Sequence, residues 1–152
     1  HGRGTVGMVQ VFPNSRNVIP GRVKFSIDLR NSTDALVDAM AAEVKAFADQ
    51  VAKEHGVQVH IEMVSSYPAQ LFQPECVDAV GRAAAKLGYS HMPAVSGAGH
   101  DAVYMAKLAP SGMIFIPCKD GISHNEIEDA KPEHIEAGCN VLLHAMLERA
   151  GT

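Results

Sequence analysis

Residues 22–30 constrain the fold more than any other segment. Val23, Phe25, Ile27 and Leu29 fall at alternate positions, with Arg22, Lys24, Ser26, Asp28 and Arg30 between them. A period of two with one polar face specifies a half-buried antiparallel strand, and such a strand needs partners. Residues 5–12 form a weaker candidate, separated from it by the turn-rich stretch 13–21, which suggests a hairpin-like pair. Residues 57–63 repeat the alternation with Val57, Val59, Ile61 and Met63 on one face. Between the alternating segments, Leu36, Met40, Val44, Phe47 and Val51 recur at helical steps. A helix is expected over about 33–55, with Asn31, Ser32 and Thr33 offering accepting N-cap oxygens, Asp34 at its positive end and Gly56 at its stop. The order is β-β-α-β, a small antiparallel sheet with one helix on it.

The grammar changes after Tyr67-Pro68. Residues 74–87, closed by Gly88, read as a helix with Cys76, Val77, Val80 and Leu87 inward. Residues 113–118 (Met-Ile-Phe-Ile-Pro-Cys) are a continuous apolar run, the mark of a strand covered on both faces in an α/β sheet. Pro132 suits the first turn of a last helix, whose stripe is Ile135, Cys139, Leu142, Leu143 and Met146. A doubly covered strand needs neighbouring strands, and this half supplies few. The fold class is α/β, in two parts that meet near residues 66–67.

Composition narrows the function. The 152 residues carry a formal charge of −4, without the basic excess of a phosphate-backbone binder, so no nucleic-acid partner is expected. No apolar run approaches the ~20 residues needed to span a bilayer, so no membrane partner is expected either. Residues 1–7 show no apolar signal-peptide core. Cys76, Cys118 and Cys139 are odd in number and widely spaced, which points to a reducing cytoplasm rather than a disulfide framework.

Chemistry has three candidate positions, all in loops or at strand ends. In Ser96-Gly-Ala-Gly-His-Asp-Ala102, glycines allow close backbone approach to a ligand ahead of a short helix, although a plain turn capped by Asp101 explains the same residues. Lys119-Asp-Gly-Ile-Ser-His-Asn-Glu126 follows the buried run, where open α/β sheets place ligands. His124 there suits a metal or general-base role, with Asp120 and Glu126 near it; a surface histidine in a polar loop is the plain alternative, since even a catalytic zinc takes three protein ligands. Asn17 and Arg30 suit a carboxylate, though Arg30 on a solvated strand face and Asn17 in a turn is the plain alternative. His55, His60, His91, His134 and His144 take structural readings, and His1 is terminal.

Together these segments resemble a known family. Asn17-Val-Ile-Pro-Gly-Arg-Val with Asp-Leu-Arg30, then Gly97-Ala-Gly-His-Asp-Ala102, then Ser123-His-Asn-Glu126 look like the C-terminal portion of the N-carbamoyl-L-amino-acid hydrolases, β-ureidopropionases and allantoate amidohydrolases. These belong to the clan of dinuclear zinc aminoacylases and carboxypeptidases, and the resemblance runs from about Thr5 to Ala150. It implies that residues 1–66 are the second part of a lid and dimerisation domain, and residues 67–152 the closing part of a metal-binding α/β domain. It implies a homodimer, a small substrate with a carboxylate, and two divalent metal ions (zinc, manganese, cobalt or nickel) in the complete enzyme. His124 matches the last metal ligand, Asn17 and Arg30 the residues that hold the substrate carboxylate, and Gly99 with His100 the loop lining the substrate site.

The remaining metal ligands, the catalytic glutamate and the lid histidine of that family lie N-terminal to the matched portion and have no counterpart here; His1 is too close to Asn17 to be that histidine. The expectation is therefore an amidohydrolase cleaving carbamoyl or ureido C–N bonds, of which this chain is a portion inactive alone. A non-catalytic dimerisation module, and a peptidase or deacylase of the same clan, are the alternatives.

Overall fold

A computed structural model describes residues 2–151, and the chain divides into two units, His1–Ala69 and Gln70–Thr152. In the first, β1 (Arg3–Phe12) and β2 (Arg22–Arg30) form an antiparallel hairpin. Val11 pairs with Val23 and Val9 with Phe25, so apolar side chains meet across the strands. The register then shifts between Val6 and Met8, leaving Gly7 as the extra residue of a bulge and bringing Val6 opposite Ile27. That phase change is why β1 reads as a weak alternation: the residues opposite Val23 and Phe25 are the odd-numbered Val11 and Val9, whereas beyond Gly7 the residue opposite Ile27 is the even-numbered Val6.

Helix α1 (Asp34–His55) begins where expected. Thr33 is extended and its hydroxyl accepts the Leu36 N–H at 3.3 Å, while Gly56 closes the helix at φ 63°. Asp34 has a further role: one carboxylate oxygen accepts the Ala69 N–H at 2.7 Å, tying the end of the unit to the start of the helix. The face that is partly covered runs through Val37, Met40, Ala41, Val44 and Ala48, rotated from the expected stripe, so Leu36 and Phe47 remain exposed. α1 lies against β2, yet among the described residues of this unit none is buried. One helix cannot cover the hairpin, and Val9, Phe25 and Ile27 stay about half exposed.

Residues 57–63 form no strand, which corrects the expected β-β-α-β order to β-β-α. Strand geometry is fixed by a ladder of inter-strand hydrogen bonds, and the one sheet among the described residues has two strands, already paired with each other.

The second unit is built on two helices, α2 (Pro74–Lys86) and α4 (Pro132–Ala150), with a single-turn α3 (Ala102–Met105) and a tight 3₁₀ turn at Lys119–Gly121 between them. Each long helix carries proline in its first turn, where no N–H is needed. Their contact is made of small residues: Ala79, Ala83, Ala84, Val141 and Ala145 are buried, with Val80, Leu87, Tyr89 and Ile114 packed around them. Alanines let the helix axes approach closely. Outside the contact Arg82 bonds Glu148 at 2.6 Å, and Asn140 donates to the Tyr89 hydroxyl at 3.3 Å. Gly138 lets residues 113–118 approach α4 closely, since a Cβ there would lie 2.7 Å from the Ile116 Cγ2.

The sequence pattern placed larger residues in that contact. Val80 and Leu87 do pack at its edge, whereas Val77, Leu142, Leu143 and Met146 are exposed. Ile135, Cys139, Leu142 and Met146 instead line an open groove of about 480 Å³, closed on its other side by Cys76, Ile114 and Ile116. Residues 113–118 have no ladder partner among the described residues, so the expected buried strand is not formed as a strand. No helix among the described residues is long and apolar enough to cross a membrane.

Candidate functional site

Arg30 ends β2 on its polar face, two residues from Asp28, so the two side chains share that face. The guanidinium donates to the carboxylate twice, Nε to Oδ1 at 2.6 Å and Nη2 to Oδ2 at 3.0 Å. This bidentate contact fixes the plane of the guanidinium. The hydrogen bond from Arg30, more than charge attraction, holds the Asp28 carboxyl below its usual range, and the same bond raises Arg30. With a folded value below the unfolded one, Asp28 contributes stability at neutral pH that fades only as pH falls through its depressed value. Both side chains are about half exposed, which keeps that contribution small.

Asn17 sits in the hairpin loop, which the Gly21 N–H closes onto the Phe12 carbonyl at 2.9 Å, and its amide oxygen accepts the Ser15 hydroxyl at 2.9 Å. Arg22 stands over the Phe12 ring at 4.3 Å, bracing the base of that loop. Arg30 pairs with Arg3 at the open end of the hairpin, while the loop lies beyond the Phe12–Arg22 pair at the other. At ~3.3 Å per residue, the strand between Arg22 and Arg30 spans about 26 Å. One hairpin therefore does not bring Asn17 and Arg30 together.

In the second unit, the loop before α3 presents Gly99 and His100. Nothing stands within 4 Å of where a Gly99 side chain would begin, so a ligand can approach its backbone. The His100 Nδ1 accepts the Ala102 N–H at 3.0 Å. A nitrogen that accepts cannot carry a proton, so the proton of the neutral ring is on Nε2, which is presented as a donor. The cap thus comes from His100: Asp101, expected to cap α3, makes no side-chain cap bond.

His124 stands in the loop before α4, with φ 57°. Its backbone N–H donates to a Glu128 carboxylate oxygen at 2.8 Å. The Glu128 N–H in turn donates to the Asn125 carbonyl at 3.0 Å, and the Ile127 N–H to the Asn125 side chain at 3.2 Å. The base of the loop is drawn shut by the Lys119 N–H on the Asp129 carbonyl at 2.7 Å. The His124 side chain is exposed, so its ring is open to an incoming ligand or metal ion.

A single histidine does not enclose a metal ion, and among the described residues no group of three or more His, Cys, Asp or Glu side chains gathers. The donor set fits one ligand of a metal site and not the whole of it. Two contributors escaped the sequence reading, Asp28 beside Arg30 and Glu128 behind His124. Asp28 was legible as the position two residues before Arg30 on one strand face; Glu128, four residues after His124 in a loop, carried no periodic signal. His1 lies outside the described residues.

Comparison with known proteins agrees with this incomplete constellation. The model of peptidase family M20/M25/M40 matches residues 1–148. An N-carbamoyl-L-amino-acid amidohydrolase of Rhizobium meliloti is 49% identical over 147 residues, which cover 97% of this chain and 35% of that protein. A ureidoglycolate hydrolase of Arabidopsis thaliana is 34% identical, over 91% of this chain and 29% of that protein. The crystal structure of an amidase of the hydantoinase/carbamoylase family from Burkholderia multivorans superposes with a TM-score of 0.94 at 55% identity, covering 98% of this chain and 36% of that one. The chain thus spans about a third of the length of these relatives. With the family match extending over nearly every residue, the chain belongs to peptidase family M20/M25/M40.

Proposed function

We propose that this chain is the C-terminal portion of a metal-dependent amidohydrolase that cleaves the carbamoyl or ureido C–N bond of a small substrate bearing a carboxylate. The observation that carries the reading is 49% identity to a carbamoyl amidohydrolase in a chain whose first unit holds an Arg30 guanidinium oriented by Asp28 and whose second unit holds an exposed His124. Residues 1–66 act as the second part of the lid and dimerisation domain, and residues 67–152 as the closing part of the metal domain. The apolar groove beside α4 then receives the rest of that domain.

In this reading His124 supplies one ligand of a two-metal centre; its other ligands and the general base come from outside this chain. Zinc, manganese, cobalt and nickel all suit such mixed ligands. A bound pair supplies Lewis-acid polarisation of the scissile carbonyl and a nucleophile at neutral pH. This chain's own residues bind and orient. Arg30, in the first unit, grips the substrate carboxylate in a fixed plane; in the second unit, the open backbone at Gly99 and the Nε2 donor of His100 bind substrate. Asn17 completes the carboxylate site, and its separation from Arg30 along the hairpin supports a homodimer in which the two residues come from different copies. The three unpaired cysteines support a cytoplasmic setting.

The test is a substrate panel on the complete hydrolase. N-carbamoyl-L-amino acids, N-carbamoyl-β-alanine and allantoate or ureidoglycolate compounds are compared with N-acyl amino acids and dipeptides by kcat/KM. Carbamoyl or ureido substrates are expected to lead. Faster turnover of dipeptides or N-acyl compounds would move the protein to the peptidase or deacylase reading.

A further inference from the structure

The loop that carries His124 stores an unusual backbone. A non-glycine residue at positive φ is disfavoured because Cβ crowds the following carbonyl, and it persists where neighbours impose it. Here the imposing contact is visible. The N–H of His124 itself points at the Glu128 carboxylate, 2.8 Å away, and Glu128 is locked in turn by its own N–H on the Asn125 carbonyl. At that distance the contact is a hydrogen bond of ordinary length. It acts on the backbone atom next to the strained torsion, so it sets the direction in which the His124 Cα–Cβ bond leaves the loop. Among the described residues Glu128 makes no ion pair with a lysine or arginine, so charge pairing does not account for it.

We infer that Glu128 is a positioning residue for the metal site, holding His124 in its left-handed conformation through the backbone N–H so that the imidazole is aimed before the metal arrives. This rests on the reading of His124 as a ligand. The role belongs to the carboxylate as a hydrogen-bond acceptor, not to its charge, and that distinction makes it testable. Glutamine keeps an acceptor oxygen at the same reach and loses the charge, whereas alanine loses both.

The experiment compares E128Q, E128A and H124A in the complete hydrolase, using zinc affinity by competition with a chromogenic chelator and amide hydrogen exchange at His124. E128A is expected to weaken zinc binding by roughly 10- to 100-fold, the usual effect of removing an outer partner of a ligand, and to speed exchange of the His124 amide. E128Q is expected to stay within a few-fold of the parent in both. Equal weakening by E128Q and E128A would overturn the inference in favour of a charge effect, and parent-like zinc affinity and exchange in E128A would overturn it outright. Unchanged zinc binding in H124A would overturn the ligand reading itself. Fast His124 exchange confined to E128A would still show the backbone role in that case, so the two failures are distinguishable.

Discussion

Replacing His124 with alanine in the complete hydrolase is expected to lower metal affinity by more than the roughly 100-fold that loss of an outer partner costs, and activity with it. The substitution removes a donor atom, whereas the loop backbone keeps its closure by Lys119 and Asp129 and its internal bonds at Asn125. Folding should therefore be spared. The ring is exposed and fills no core position, so the Ala79–Val141–Ala145 contact is untouched. Metal content by atomic emission, with thermal denaturation as the control for folding, reads the outcome. Full metal occupancy with an unaltered melting temperature would remove His124 from the site.

Arg30→Ala should have the opposite signature. Hydrogen bonds to charged groups contribute ~1.5–3 kcal/mol, so loss of a carboxylate clamp should raise KM by roughly 10- to 150-fold while metal content stays at the parent level. Asp28 would lose its partner at the same time, but both side chains are about half exposed and the cost to stability is small. The 26 Å hairpin adds a sharper form of this test. If Arg30 and Asn17 serve one site from two copies, mixing Arg30→Ala chains with Asn17→Ala chains assembles heterodimers in which one site carries both lesions and the other carries neither. Mixed samples should then recover activity that neither variant has alone. Two inactive variants that stay inactive when mixed would place both residues in one copy's site, and a parallel loss of metal in Arg30→Ala would contradict its role as a clamp.

Much of the secondary structure was legible where local chemistry decides it. α1 starts at the Thr33 hydroxyl and stops at Gly56, and both helices of the second unit take proline in the first turn. What a pattern of hydrophobic size could not reveal was which apolar face finds a partner. The α2–α4 contact is made by alanines, because small residues let helices approach, while the larger Leu142 and Met146 face the groove. The bulge at Gly7 hid the alternation of β1 by shifting its phase. Residues 57–63 and 113–118 have the composition of strands, but a strand exists only in a ladder, and no neighbour for either is present among the described residues.

The candidate site was legible as separate motifs and not as an arrangement. Asn17, Arg30, Gly99, His100 and His124 stand out by residue type in loops and at strand ends. What the sequence could not show is that the hairpin holds Asn17 and Arg30 far apart and that Glu128 carries the backbone of His124.

The most direct test is the number of metal ions held by the purified 152-residue polypeptide after equilibration with zinc and removal of the excess. Little or none is the expected result, because one histidine cannot enclose an ion and no group of three or more His, Cys, Asp or Glu side chains gathers among the described residues. About two tightly held ions per chain, as in a dinuclear site, would contradict the account and require a complete metal centre built from the residues of this chain.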